Sequence, residues 1–323
     1  MRAPITFALA ASILFVCPAQ AVSTAPPFPA KPITIVVPLT AGGPVDILAR
    51  LVAEKMAAEF KQPVIVENRP GGGGNIGAEQ VARARPDGYT ILCATDTPMT
   101  VNPFIYKRLT FSAARDLTPV SLAATFAQML VVNPAMPATT LEQFMALARQ
   151  RPVTFASGGN GSPGHLTGMY FADKSGIPLT HVPYKGNSQA VGDLLGGQVD
   201  AGFLATPGVL PHIKAGKLKA IAVSSANRSP LSPATPTFSE AGLPGFEAMF
   251  AMLHMAPAGT PPEVIDTLNR AIDRALRADD VRARLSALDI APGGGSPAQA
   301  GAYLARYRAL WGGMAAKLDL QVD

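Results

Sequence analysis

The alternation of short apolar runs with longer amphipathic runs is the feature that most constrains how this chain can fold. ITIVVP at 33–38 predicts a buried strand, and VDILARLVAEKMAAEF at 45–60 predicts a helix. The same order recurs along the chain through the apolar runs VIVEN, YTILCAT, VTFAS, THVPY, VDAGFLA and LKAIAVSS. Helices placed between short β-rich runs imply right-handed crossovers and mainly parallel sheets. The sequence therefore predicts an α/β protein.

Two long apolar runs with little turn chemistry stand apart from this alternation. They lie around 123–133, in SLAATFAQMLVVN, and around 245–255, in GFEAMFAMLHM. If both are strands that cross between domains, the chain forms a first domain of 22–125 plus 250–323 and a second domain of 126–249. Two α/β lobes joined by a hinge of two crossing strands would close on a ligand in the cleft between them.

Residues 1–21 have the layout of a secretory signal peptide. Arg2 supplies the charge, 5–16 is apolar, and AQA at 19–21 is a small-x-small end. The apolar stretch is shorter than the roughly 20 residues that a membrane span needs. We therefore expect an exported protein, cut after residue 21, whose mature chain keeps Cys93 as its one cysteine and has no internal disulfide.

Charge and histidine spacing argue against several classes of partner. Without Arg2, the 27 Lys and Arg residues become 26, against 22 Asp and Glu, which leaves a mature charge of +4. These cations are scattered, whereas nucleic-acid binders usually concentrate them on one face. The four histidines form no H-x-x-x-H or H-x-x-E-H pair. We expect no nucleic-acid partner and no metal.

A glycine cluster raises the question of a dinucleotide cofactor. GGGGNIGA at 71–78 spells G-x-G-x-x-G after the predicted strand VIVEN, and Asp96 follows about 20 residues later. However, RPG separates the strand from the motif, and Pro70 forces an extended detour. Export also removes the chain from cytosolic dinucleotides. We expect no cofactor, and instead a loop along the rim of the cleft, with Asn75 as the cap of the next helix.

Two loops are the main candidates for ligand binding. PLTAGGPVD at 38–46 and ASGGNGSPGHL at 156–166 each follow a predicted strand and open a predicted helix. Ligands bind at the carboxyl ends of parallel strands, and the amides that start a helix favour anions. With one loop in each lobe, a dicarboxylate or an amino acid could be held mostly by amides. Asp46 either contacts the ligand or complements the helix dipole.

Two other residues stand at similar positions, and one pair suggests catalysis. Tyr184 ends a predicted strand, and Thr206 lies at the carboxyl end of VDAGFLA. Ser162 and His165 suggest a serine-type hydrolase, but NGSPG is not the G-x-S-x-G elbow because Asn160 replaces its first glycine. No distinctive acid motif completes a triad, so the hydrolase is kept as an alternative to binding.

Five segments, in this order, resemble the Bug-type periplasmic solute receptors, the substrate-binding proteins of tripartite tricarboxylate transporters. They are KPITIVVPLTAGGPVDILAR, VIVENRPGGGGNIGAEQVARARPDGYTIL, FASGGNGSPGHLTGMYF, HVPYKGNSQAVGDLLGGQVDAGF and GKLKAIAVSSANRSPLSPATPTFSEAG. The resemblance implies the two-lobed periplasmic-binding-protein (Venus flytrap) architecture and capture of a small carboxylated solute. It also implies that two loops grip a ligand carboxylate through amides, small hydroxyls and ordered water.

Carried over to this sequence, the resemblance points to particular residues. They are Leu39, Thr40, Ala41, Gly42 and Gly43 with Asp46 in the first loop, and Ser157, Gly158, Asn160, Gly161 and Ser162 with His165 in the second. Members of the family usually have an aromatic residue where Leu39 stands, which predicts a smaller or softer pocket wall here.

A larger departure from the family lies in ATDTPMTVNP at 94–103. Relatives often carry a small residue where Asp96 stands. A carboxylate there would repel an anionic ligand unless the ligand also offers a cation or a proton donor. The hypothesis is that Asp96, with Thr97 beside it, meets an ammonium or a heteroaromatic N–H. That contact would favour an amino acid or a pyridine-type carboxylate over citrate. Alternatively, Asp96 caps the next turn and faces solvent.

We therefore expect an extracytoplasmic, periplasmic solute receptor. It would be a monomer that closes on one small carboxylated ligand and delivers it to the subunits of a membrane transporter. It would make or break no bond. Besides the hydrolase, the alternative is a sensor module that lends its closed lobes to a membrane signalling partner, which the pocket alone does not distinguish from a receptor.

Overall fold

The computed structural model describes residues 28–317 and residue 321. The predicted signal peptide, residues 1–21, lies outside these residues. None of the described helices is long and apolar enough to cross a bilayer.

Strands and helices alternate through the described residues, as the sequence predicts. The strands are β1 (Ile33–Val37), β2 (Val64–Asn68), β3 (Thr90–Thr95), β4 (Leu117–Val132), β5 (Thr154–Ser157), β6 (Thr180–Pro183), β7 (Ala201–Ala205), β8 (Lys219–Val223), β9 (Met249–Pro257) and β10 (Ala291–Pro292). The helices are α1 (Pro44–Phe60), α2 (Asn75–Ala82), α3 (Thr97–Thr100), α4 (Asn102–Ile105), α5 (Ala113–Asp116), α6 (Leu141–Gln150), α7 (Pro163–Ser175), α8 (Asn187–Leu195), α9 (Thr206–Lys214), α10 (Pro262–Arg277), α11 (Asp279–Ser286) and α12 (Pro297–Lys317).

The strands form two lobes that share one continuous sheet. Their order is β2-β1-β3-β9-β4-β7-β5-β6, and β8 and β10 also pair with β4. In the first lobe β1 is parallel to β2 and β3, and in the second lobe β5 is parallel to β6 and β7. The α/β class is thus confirmed. The prediction of mainly parallel sheets holds only for these outer strands, because β4 and β9 are antiparallel to their neighbours.

Strand β4 belongs to both lobes. Its 16 residues pair with β9 from Leu117 to Ala127, then with β7 from Gln128 to Val132 and with β8 from Met129 to Val132. Register shifts on the β9 side disrupt the ladder, which increases local bending and twist. Strand β9 begins at Met249, opposite Ala127, where the two lobes meet. The predicted crossing runs overlap these two strands, while the predicted domain limits stay a proposal.

Close packing of α7 on the second lobe positions the loop that precedes this helix. Phe155, Phe171 and Phe203 are buried and pack with their rings tilted or edge to face. A Cβ on Gly164 would collide with the carbonyl oxygen of Phe203, and one on Gly168 would collide with the ring of Phe155. Glycine at both positions therefore lets α7 lie directly on the sheet.

His254 is a buried polar group in the middle of the shared sheet. It lies on β9, opposite Cys93 on β3 and Ser121 on β4. Its side chain is completely buried, and neither ring nitrogen has a hydrogen-bond partner among the described residues. Burial lowers the pKa of His254 from its ordinary 6.5 to about 4. The folded protein therefore takes up a proton there less readily than the unfolded chain does.

We expect His254 to make the fold sensitive to acid. Below about pH 6.5 the unfolded chain binds a proton that the folded state binds only below about pH 4. The free energy of unfolding therefore decreases as the pH decreases through this range. Between about pH 7.5 and about pH 5, the wild type should lose about 2 kcal/mol more than His254→Leu. Urea unfolding at both pH values measures this difference, with His212→Gln as the control. Equal losses in wild type and His254→Leu would contradict the expectation.

Candidate functional site

The candidate loops leave the carboxyl ends of parallel strands, where α/β proteins bind ligands. One loop joins β1 to α1, and the other joins β5 to α7. Pro38, which directly follows β1, packs against the glycines that precede and begin α2. A Cβ on Gly74 would lie 3.7 Å from the Cβ of Pro38, and one on Gly77 would lie 2.8 Å from it. These contacts place the first loop beside the four-glycine segment.

Asp46 organises the first loop from inside. Its Oδ2 accepts hydrogen bonds from the amide of Gly42 and from Arg50 Nε, both at 2.9 Å, and its Oδ1 accepts one from Asn68 Nδ2 at 2.9 Å. Burial alone would raise the pKa of Asp46, but the hydrogen bonds from Arg50, Gly42 and Asn68 hold it below its ordinary value. Asp46 therefore shapes the loop, and its direct contact with a ligand stays a prediction.

The rest of the first loop is open to solvent. Thr40, Ala41 and Gly42 are exposed, whereas Leu39 is half-buried and its carbonyl accepts from Asn68 Nδ2 at 3.1 Å. Sequence reasoning missed Asn68, although it ends VIVEN and therefore stands at the carboxyl edge of β2. The loop ends at Gly43, which immediately precedes α1 and whose carbonyl accepts a hydrogen bond from the amide of Ile47.

Four consecutive glycines shape the neighbouring loop. Residues 71–74 all have positive φ, at 132°, 56°, 61° and 91°, a conformation that residues other than glycine rarely adopt. Asn75 was predicted to cap α2, and this is wrong: Gly74 occupies the cap position, and Asn75 is already helical. The side chain of Asn75 instead accepts a hydrogen bond from Asn102 Nδ2 at 2.7 Å.

Hydroxyl groups hold the second loop together. Ser162 caps α7, because its Oγ accepts from the amide of His165 at 3.3 Å. The same Oγ donates to Ser157 Oγ at 3.2 Å, and Ser157 Oγ lies 2.7 Å from His181 Nε2. The amide of Gly159 also donates to Ser157 Oγ, at 3.2 Å. Buried Ser157 is thus the centre of a network that sets the shape of the loop.

Two stacked histidines form the base of this loop. The rings of His165 and His181 lie 4.0 Å apart between centroids, at 17°. The amide of Gly161 donates to His165 Nδ1 at 3.1 Å, so the proton of the neutral ring sits on Nε2. Burial lowers the pKa of His165 to about 4, and burial together with the charge of His165 lowers that of His181 to about 3. Both rings are therefore neutral near pH 7.

These contacts do not form the arrangement that the hydrolase alternative requires. Ser162 Oγ bonds to the backbone of His165 and to Ser157, whereas the ring of His165 bonds to Gly161. A nucleophile needs a base within hydrogen-bond reach, oriented by a third group. Sequence reasoning did not select His181, because this second residue of β6 belongs to no motif.

The remaining second-lobe candidates lie around this network. Asn160 is exposed, and a Cβ on Gly158 would lie 3.0 Å from Asn187 Oδ1. Tyr184 donates its amide to the carbonyl of Ser157 at 3.2 Å. Its hydroxyl donates to Asp193 at 2.8 Å. Burial, and to a smaller extent the contact with Asp193, raises the pKa of Tyr184 to about 12.

Thr206, at the start of α9, is also a buried candidate. It follows β7 directly, and its side chain is completely buried. Thr206 Oγ1 has no hydrogen-bond partner within the described part of the chain. Its position at the carboxyl edge of β7 matches the prediction, and its contact with a ligand stays a prediction.

Asp96 lies deeper than the sequence indicates. Its side chain is completely buried, and Tyr303 of α12 donates to its Oδ2 at 3.1 Å, while Oδ1 has no partner among residues 28–317. Asp96 precedes α3 but makes no side-chain cap, so the alternative of a solvent-facing cap is wrong. Burial raises the pKa of Asp96 to about 7, which hydrogen bonds from Tyr303 and the backbone only partly oppose. Buried Thr97 bonds to Thr95 at 3.0 Å. A ligand contact at Asp96 or Thr97 stays a prediction.

The two lobes meet where the second loop touches α4. A Cβ on Gly161 would lie 2.6 Å from Ile105 Cδ1 and 3.4 Å from Asn102 Oδ1. Asn102 in turn donates to the carbonyl of Gly73 at 3.0 Å and to Asn75. The structure thus brings the second loop to the four-glycine segment through a residue, Asn102, that sequence reasoning missed. We call this contact between Gly161, Asn102 and Ile105 the seam.

Two surface cavities lie elsewhere on the first lobe. One, of about 340 Å³, is lined by Leu276, Arg277, Arg282 and residues 292–295. The other, of about 280 Å³, is lined by Pro103, Tyr106, Lys107, Leu109, Phe111, Ser112, Ala113 and Arg308. Neither is lined by a residue of the two candidate loops. Across the described residues, no three His, Cys, Asp or Glu side chains are grouped to hold a metal ion.

Comparison with known proteins identifies a family that this chain matches over most of its length. The sequence model described as "Tripartite tricarboxylate transporter family receptor" matches residues 48–320. Protein BugT of Bordetella pertussis is 37% identical over 290 residues, which cover 89% of each chain.

Two solved structures from Rhodopseudomonas palustris share the fold over nearly their full length. Rpa4515 with adipate aligns with a TM-score of 0.85 and 34% identity, covering 90% of this chain and 97% of that one. MatC with bound malate aligns with a TM-score of 0.81 and 30% identity, covering 89% and 99%. The chain therefore belongs to the family of tripartite tricarboxylate transporter receptors, as its resemblance to the Bug-type receptors predicts.

Proposed function

We propose that this protein is a periplasmic receptor that encloses one small carboxylate between its lobes. The observation that carries the proposal is the seam, where an anion-ready loop of the second lobe meets the first lobe at Asn102. Family membership supports the same conclusion, since the receptors Rpa4515 and MatC were solved with adipate and malate, which are both dicarboxylates.

The chemistry of the loops suits a carboxylate held by neutral donors. The start of α7 supplies amides and the positive end of a helix dipole, both of which favour an anion. Ser162 and Ser157 add hydroxyls, and the neutral ring of His165 adds an Nε2–H. Neither candidate loop contains a Lys or Arg. Hydrogen bonds rather than an ion pair would therefore hold the ligand.

Closure would be a hinge motion about the two strands that run between the lobes. Strand β4 continues from one lobe into the other, and β9 begins at their junction. We propose domain limits of 22–125 plus 250–323 and 126–249, which cut the chain beside these strands. A ligand that contacts both loops binds the closed state better than the open one and so shifts the population toward closure.

The receptor would work as a monomer that passes its ligand to the subunits of a membrane transporter. No reaction is part of this role, since the ligand leaves unchanged. Export through the predicted signal peptide would place the protein in the periplasm, where such a transporter is met.

The experiment that tests this proposal is a thermal-shift screen of the mature protein with dicarboxylates, amino acids and pyridine carboxylates. A ligand that binds only the folded protein raises its melting temperature. At a free ligand concentration of 100 times the Kd, the folded state is stabilised by about 2.7 kcal/mol. We expect at least one carboxylate to do so and to be recovered unchanged. The methyl ester of each hit is the control. Conversion of the hit to a product would support an enzyme, and a screen without any carboxylate hit would remove the proposal.

We expect a side chain at Gly161 to prevent closure. Gly161→Val would place methyl groups against Ile105 and Asn102 and hold the lobes apart. The affinity for the best carboxylate of the screen should fall about tenfold or more, which corresponds to about 1.4 kcal/mol. Isothermal titration calorimetry measures it.

Gly176→Val is a matched control for Gly161→Val. Gly176 also has positive φ, 66° against 72°, but a Cβ there meets nothing within 4 Å. Both variants carry a similar backbone strain, so their melting temperatures should fall alike. Equal affinities in the two variants would show that the seam plays no part in binding.

We expect Asp96→Asn to stabilise the protein more at higher pH. The folded state keeps the Asp96 proton up to about pH 7, whereas the unfolded chain releases it near 3.8, so the wild type loses stability as the pH rises through this window. From about pH 5 to about pH 8, the variant should gain about 3 kcal/mol on the wild type in urea unfolding.

The same Asp96→Asn variant tests the hypothesis of an ammonium contact. If Asp96 meets a ligand ammonium, the variant should bind aspartate much more weakly and succinate as before. If Asp96 serves only the contact with Tyr303, both affinities should change alike.

A further inference from the structure

The side-chain amide nitrogen of Asn102 makes all the hydrogen bonds that it can, whereas the side-chain oxygen makes none within the described residues. Its Nδ2 donates to the carbonyl of Gly73 at 3.0 Å and to Asn75 Oδ1 at 2.7 Å. These two bonds take both amide hydrogens and fix the plane of the group. Asn102 Oδ1 is buried and has no hydrogen-bond partner in the described residues, and the residue as a whole is 1% exposed.

This oxygen faces the other lobe. It lies 3.4 Å from the position of a Cβ on Gly161, in the seam. The amide of Gly161 does not satisfy it, because that amide donates to His165 Nδ1. Gly161 belongs to the second loop, which carries proposed ligand contacts, and the four-glycine segment that holds Asn102 packs in turn on Pro38 of the first loop through Gly74.

We propose that Asn102 is a ligand-binding residue that selects carboxylates bearing a hydroxyl group. This inference rests on the proposed function. A buried acceptor without a donor destabilises the closed state, and a ligand hydroxyl that donates to Asn102 Oδ1 removes that penalty when the lobes close. A neutral amide oxygen suits a neutral O–H donor, whereas an ammonium is matched better by a carboxylate.

The four-glycine segment gains a role from this assignment. Its positive φ values turn the carbonyl of Gly73 toward Asn102, and no other residue type adopts four such conformations in a row without strain. A Cβ on Gly73 would also lie 2.5 Å from the hydroxyl of Tyr106. The segment therefore positions the amide of Asn102, and the dinucleotide-like pattern of its glycines follows from that geometry.

The test compares L-malate with succinate, which differ by one hydroxyl group. In calorimetric titrations we expect the wild type to bind malate about tenfold more tightly than succinate. Asn102→Leu, which has no acceptor, should bring the ratio of the two dissociation constants close to one. If Asn102 has only a structural role, the substitution should change both dissociation constants and leave their ratio unchanged.

Asn75→Ala is the control, since it removes one bond that holds Asn102 but leaves Oδ1 in place. It should weaken both ligands and keep the preference for malate. Equal affinities of the wild type for the two acids would overturn the inference, and so would a preference that survives in Asn102→Leu. If the wild type binds neither acid, the inference also falls, and the thermal-shift screen with other carboxylates decides separately whether the proposed function falls with it.

Discussion

The placement of every candidate ligand contact depends on the pairing of β4 with β9 on one lobe and with β7 and β8 on the other. A single strand that hydrogen-bonds into both lobes ties them together while leaving its junction as the place where they can turn. Because the outer strands in each lobe are parallel, their carboxyl ends and the loops that follow lie along one edge. The loops after β1, β2 and β5 meet there.

The proposed recognition at this edge would rely on glycine and on neutral donors. Gly164 and Gly168 let α7 lie on the sheet, and Gly161 lets the second loop reach Asn102. The stacked pair His165 and His181 is kept neutral by burial. A site of this kind discriminates through hydrogen-bond geometry, since a missing donor or acceptor leaves a buried partner unsatisfied.

Buried polar groups outside the loops make stability depend on pH in opposite directions. His254 is neutral in the core and lowers the stability of the fold in acid, whereas the raised pKa of Asp96 makes the fold lose stability as the pH rises from about 3.8 to about 7. Both lie on or beside β3 and β9, at the centre of the shared sheet. Neither was evident from sequence, because a single histidine or aspartate in an apolar run does not reveal whether a partner from another element reaches it.

The sequence by itself determined the α/β class, the outer strands of each lobe, the two crossing strands and the loops that open α1 and α7, because these follow from local periodicity and glycine content. Only the tertiary structure decided which side chains meet: Tyr303 reaches Asp96 across 207 residues, and Gly161 comes to Asn102. It also reversed the role of Asn75 and made β4 and β9 antiparallel. Strand pairing and contacts between lobes are set by packing over long distances along the chain, which local pattern does not encode.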